Sequence, residues 1–124
     1  MCYGEVVPPT GFEPASWPAA ASEQIASTSL DFHEAVNRAA HNEALWAMFS
    51  ATRVLIRRAL DTLHARQPDM AAAARKAHSE LYAAIVARDG DRAVEIMREH
   101  LYDFAARVER ATRGAGDGAS PWFS

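Results

Sequence analysis

From Phe32 onward, apolar residues recur three and four positions apart, the spacing of helices that bury one face. A first helix is predicted to begin near Ser27-Thr28-Ser29, any of which can cap it, and to run to Ala40. Phe32, Val36 and Ala39-Ala40 make its apolar stripe, with Leu30, His33 and Asn37 on the neighbouring face. His41-Asn42 reads as a joint, with Asn42 suited to cap a second helix and Glu43 placed to favour its dipole. That helix carries Leu45, Met48-Phe49, Thr52, Leu55-Ile56, Ala59 and Leu63, and stops before Pro68, because a residue preceding proline avoids the α region. A third starts at Pro68-Asp69 and shows Ala74, Ala77-His78, Leu81 and Ile85 on one face, with Gly90 expected to close it in a left-handed conformation. Asp91 is expected to cap a fourth, whose inward face is Val94, Met97, His100-Leu101, Phe104 and Val108. The sum is an all-α fold, an antiparallel bundle of about four helices.

The two ends differ in character from this body. Residues 1–28 contain Pro8, Pro9, Pro14 and Pro18 with Gly4 and Gly11, show no regular period, and are expected to form a disordered leader. Residues 111–124, rich in glycine, alanine and serine, are expected to form a flexible tail.

At 124 residues the chain has room for one modest core. Abundant alanine and the lack of β-branched runs favour helix. A net charge of −3 gives no electrostatic footprint for nucleic acid. The single cysteine, Cys2, rules out an internal disulfide and fits a reducing, cytoplasmic setting. No apolar run reaches the length of a membrane span, and the start lacks the basic segment and apolar block of a signal peptide.

Three histidines change the picture. Asp89 lies midway between His78 and His100, so antiparallel helices leaving the turn there carry both imidazoles at one height, each ~16 Å from the bend. His33 lies on an earlier helix that could pack against the pair. Taken singly, a helix histidine is more often half-buried than a ligand. Both His78 and His100 fall on apolar stripes, however, where an imidazole lacking a partner costs ~1–3 kcal/mol. Zinc, nickel or another divalent metal accepting nitrogen would satisfy them; a buried water or a bridging carboxylate is the plainer alternative. His33-Glu34 does not begin the zinc-protease helix motif, because position 37 is Asn37. No phosphate-binding glycine loop or serine-hydrolase elbow occurs.

Leu30-Asp31-Phe32-His33, Asn42, Ala77-His78, the Gly90-Asp91 turn, Met97 and His100-Leu101 together resemble the FCD domain, the C-terminal effector-binding domain of the FadR branch of GntR-family transcription regulators. The resemblance covers residues 29–110, about two-thirds of the chain. It implies metal ligation by His33, His78 and His100, and an aspartate one turn before the first histidine. This chain has Ser29 there, and Asp31, two residues from His33, points ~200° away on a regular helix. Three histidines with water or an effector carboxylate are therefore expected, Ser29 and Asp31 being the remaining candidates for metal or ligand. Arginines of such regulators clamp small organic acids, which singles out Arg53 on the second helix, together with Asn42, as ligand-binding candidates.

The resulting expectation is a non-enzymatic effector domain that senses a small carboxylate at a three-histidine metal site. A complete regulator would add a winged-helix DNA reader, so this chain is expected to be truncated, to bind no operator itself and to expose apolar surface. It should then form a homo-oligomer or associate with a full-length regulator. The rivals are a metal-dependent hydrolase, with Glu34 or Glu80 as the nearest general bases, and a fragment without ligand function that only pairs with a relative.

Overall fold

The computed structural model describes residues 22–113, with side chains from Ser29 onward. They form four helices: α1 (Ser22–Ala39), α2 (Glu43–Arg66), α3 (Met70–Val86) and α4 (Gly90–Arg113). α1 begins ahead of the start expected at Ser27–Ser29, because no proline or glycine follows Pro18 to interrupt it. α4 continues through residues 111–113 of the expected tail, because Ala111 is buried in the core; the rest of the expected leader, residues 1–21, and residues 114–124 lie outside the described residues.

The joints have identifiable chemistry. His41 takes a positive φ of 48°, and Asn42 then caps α2, its Oδ1 accepting from the Leu45 amide at 3.0 Å. Gln67, preceding Pro68, is extended at φ −132°, ψ 82° and ends α2. After α3, the Asp89 amide donates to the Ala84 carbonyl and the Arg88 amide to the Ile85 carbonyl, a Schellman closure. The left-handed residue is therefore Arg88, at φ 57°, and not Gly90. Asp89, not Asp91, caps α4 by accepting from the Arg92 amide at 3.0 Å, and Gly90 becomes that helix's first residue. The local bonding pattern, not the glycine, sets where the helix turns over.

α1 packs most extensively on α2, and α3 on α4, so the bundle is two helical hairpins laid against each other. α1 supplies both apolar clusters. Leu30 packs with Leu60, Leu63, Met70 and Ala111, while Phe32 packs with Leu81, Ala84 and Ile96. The inward faces differ in part from those the periodicity predicts. On α2, Phe49, Ile56, Leu60 and Leu63 face the core, whereas Leu45, Met48 and Leu55 are exposed. On α4, Ile96 is buried, while Val94 and Leu101 are exposed. Both helices are apolar over more than one stripe, so spacing alone does not select the packed side. No helix among the described residues is long and apolar enough to cross a membrane.

Candidate metal centre

His33 projects from α1, His78 from α3 and His100 from α4, so the two hairpins meet at these rings. The Nε2 atoms form a small triangle: 3.0 Å from His78 to His33, 3.0 Å from His78 to His100 and 3.2 Å from His33 to His100. Metal–nitrogen bonds of ~2.05 Å require nitrogen separations of ~2.9 Å at right angles and ~3.3 Å at tetrahedral angles. The observed edges fall between those limits.

Neighbouring rings hold this orientation. His78 stacks on Phe32 with centroids 4.5 Å apart and planes 18° from parallel. His33 and His100 stack on each other at 5.3 Å and 9°, and His78 stands nearly perpendicular to both. Asn37, one turn after His33, donates through Nδ2 to the His33 carbonyl at 2.8 Å and braces the helix there.

Burial decides the charge state. It lowers the His33 imidazole to about 4, helped by the nearby His100, and lowers His78 to about 2, helped by both other rings. His100 is also lowered by burial, with Asp103 opposing that shift. All three rings are therefore neutral at pH 7, the form that ligates metal. Each neutral Nε2 offers either a proton or a lone pair, so the three contacts of this triangle cannot all be linear hydrogen bonds at once. A cation accepting three lone pairs removes that conflict, and the donor set fits one.

A cavity of about 430 Å³ opens beside the triangle, with His33 and His100 in its wall. Most of its surface is apolar, contributed by residues such as Leu30, Leu45, Phe49, Leu60 and Phe104. Its other polar members are Ser29, Asn37 and Asp103. Asp103 accepts from Arg107 Nε at 2.7 Å.

The remaining sequence candidates lie elsewhere or are engaged. Ser29 is buried in the cavity wall, one turn before His33. Asp31 turns to α2 and accepts from Arg53 at 3.0 Å. The other arm of Arg53 is held by Glu34, so the guanidinium clamps α1 to α2 and is not among the residues lining the cavity. Asn42 is exposed at the start of α2, where its side chain caps the helix. Glu34 also pairs with Arg38, and Glu80 pairs with Lys76 and Arg92. The periodic reading passed over Asp103 in the cavity wall. One signal could have found it: it lies three residues after His100 and so shares its face.

The sequence model of one family, described as the FCD domain, matches residues 15–103. No curated protein and no solved structure matches the chain.

Proposed function

The chain belongs to the FCD domain family, and from that premise we propose that it is an effector-binding domain of the GntR-regulator type, which holds a divalent metal on His33, His78 and His100 and senses a small carboxylate there. The observation that carries this reading is the triangle of Nε2 atoms at 3.0–3.2 Å, contributed by three different helices. Neutral imidazole donors suit zinc or nickel. When bound, such an ion supplies a Lewis-acidic position left open to a carboxylate oxygen or water, as expected of a set with three protein ligands.

The chain's own residues do the rest. Phe32 and the mutual stacking of His33 and His100 preset the rings, so little ordering accompanies ligation. Burial keeps the imidazoles unprotonated. His33 belongs to the first hairpin, and His78 and His100 to the second, so the site spans the interface between the two hairpins. An effector that binds better to one spacing of the hairpins than to another shifts that equilibrium, which is how occupancy would be passed to a partner. In this reading Ser29 takes no part in ligation, and water or the effector completes the coordination.

The test is metal content by mass spectrometry after zinc incubation and dialysis. One ion per chain is expected, with near-complete loss in His78→Ala. A wild-type chain that retains none overturns the reading.

A further inference from the structure

The cavity beside the histidines has a chemical character that narrows what it takes. Its wall is overwhelmingly apolar, and among the described residues neither lysine nor arginine lines it. Arg53, the nearby cation on α2, is engaged by Asp31 and Glu34. The one carboxylate among the described residues of the wall, Asp103, is already paired with Arg107 and offers a second acidic group on a ligand no partner. Three neutral imidazoles bring no negative charge of their own, so a divalent ion held there keeps most of its attraction for an anion, the nearby Asp103 being tied to Arg107. Charge complementarity thus exists at one end of the cavity only.

From this contrast we infer that the ligand is a monocarboxylic acid with an apolar body, such as a medium-chain fatty acid or an aryl-alkanoic acid. Its carboxylate lies toward His33 and His100 and its hydrocarbon lies between Leu45, Phe49 and Phe104. The inference rests on the metal-site reading and deepens it by separating this ligand class from the short hydroxy acids and dicarboxylates that a three-histidine centre alone would equally admit. A cavity of about 430 Å³ is within the range of small-molecule sites. A dicarboxylate would bury its second charge against leucine and phenylalanine without a partner, which is strongly unfavourable.

The experiment is calorimetric titration of the zinc-loaded chain with acetate, octanoate and succinate, with zinc content measured in the same samples. Octanoate should bind at least ~100-fold more tightly than acetate, since its six extra methylenes contribute up to ~4-fold each when fully buried and ordering the chain takes back part of that. Succinate should bind no better than acetate. Removing zinc should weaken octanoate at least tenfold. Leu45 is 43% exposed in the cavity wall, so Leu45→Arg leaves the new charge within reach of water. It should reverse the order, weakening octanoate and strengthening succinate while zinc content stays unchanged. Octanoate and acetate of equal affinity on a zinc-loaded chain overturn this inference and leave the metal reading standing. Equal octanoate binding with and without zinc also overturns it, by removing the carboxylate from the histidines. A chain that retains no zinc sinks the metal reading and this inference together.

Discussion

His33 and His78 are 45 residues apart in the chain, yet their Nε2 atoms lie 3.0 Å apart, one from each helical hairpin. Anything that bonds both nitrogens therefore joins the two halves of the molecule. α1 touches α3 far less than it touches α2, so such a bond adds to the few contacts, chiefly through Phe32, that link those two helices.

Metal should consequently stabilise the fold well beyond the site. A ligand that binds only the native state, present at ~100 times its dissociation constant, adds ~2.7 kcal/mol. At several degrees per kcal/mol for a domain of this size, zinc should raise Tm by about 10 °C or more, and a chelator should reverse it. His100→Ala should abolish the shift while leaving the metal-free Tm nearly unchanged or raised, since one of three crowded rings is gone. Scanning calorimetry with and without zinc checks both. An equal shift in wild type and variant would place the ion elsewhere.

Acid should destabilise the metal-free chain earlier than carboxylate titration alone would. The folded state holds His33 at about 4 and His78 at about 2, and burial also lowers His64 and His100. Above pH 6.5 neither the folded nor the unfolded chain protonates these rings, and stability is at its full value. Below pH 6.5 the unfolded chain takes up protons that the folded chain refuses, so stability falls with pH. For His33 alone, going from 6.5 to about 4 amounts to on the order of 3 kcal/mol. Urea midpoints at pH 7.5, 6 and 5 should therefore fall steadily, and His33→Phe should flatten the slope.

The histidine pairing was legible because helix geometry is rigid: equal spacing of His78 and His100 about Asp89 placed both rings at one height with no tertiary information. The closure of α3 was not, because a Schellman motif is set by which amides reach Ala84 and Ile85, and it put the left-handed residue at Arg88 instead of Gly90. Nor was the packed face of α2, where Leu45, Met48 and Leu55 repeat at the same spacing as the buried set. Periodicity identifies a helix; it does not choose between two apolar stripes.

Arg107 is a feature that periodic reading cannot find, because a charge on an inward face breaks the pattern. It is buried, and it donates to Asp103 at 2.7 Å, to Asp69 at 3.0 Å and to Gln67 Oε1 at 3.2 Å, fastening α4 to the joint between α2 and α3. Asp69 is held below its ordinary carboxylate range by that bond. Arg107→Ala should cost about 1–3 kcal/mol by urea denaturation, through lost bonds and lost packing. Asp69→Asn should cost less, because Asp69 is well exposed and water replaces its partner. A neutral Arg107→Ala would mean that the clasp is ornamental.

Self-association is expected from surface that the bundle leaves open. Met48 is 69% exposed and Leu55 58% on α2, while Leu101 is 54% and Tyr102 70% exposed on α4. Apolar surface of this kind, when contiguous, marks an interaction face. Sedimentation velocity should show a concentration-dependent dimer or larger species, and Met48→Glu with Leu55→Lys should shift it toward monomer. A wild-type chain that stays monomeric at high concentration would refute this.

Arg53 offers the sharpest separation between a ligand clamp and a structural tie. Its two arms go to Asp31 and Glu34, both on α1, and the side chain is only partly buried, so solvent screens the attraction. A tie of this kind predicts that Arg53→Ala lowers stability by at most ~1 kcal/mol, with a double-mutant cycle against Glu34→Ala recovering a coupling of similar size. Carboxylate affinity of the zinc-loaded chain should then change by less than about threefold. Loss of tenfold or more, with stability intact, would instead mean that the arginine leaves Asp31 and Glu34 to meet the ligand. That rearrangement would have to repay two broken ion pairs from binding energy, and it would show itself as a matching gain in ligand affinity when Glu34 is replaced by glutamine.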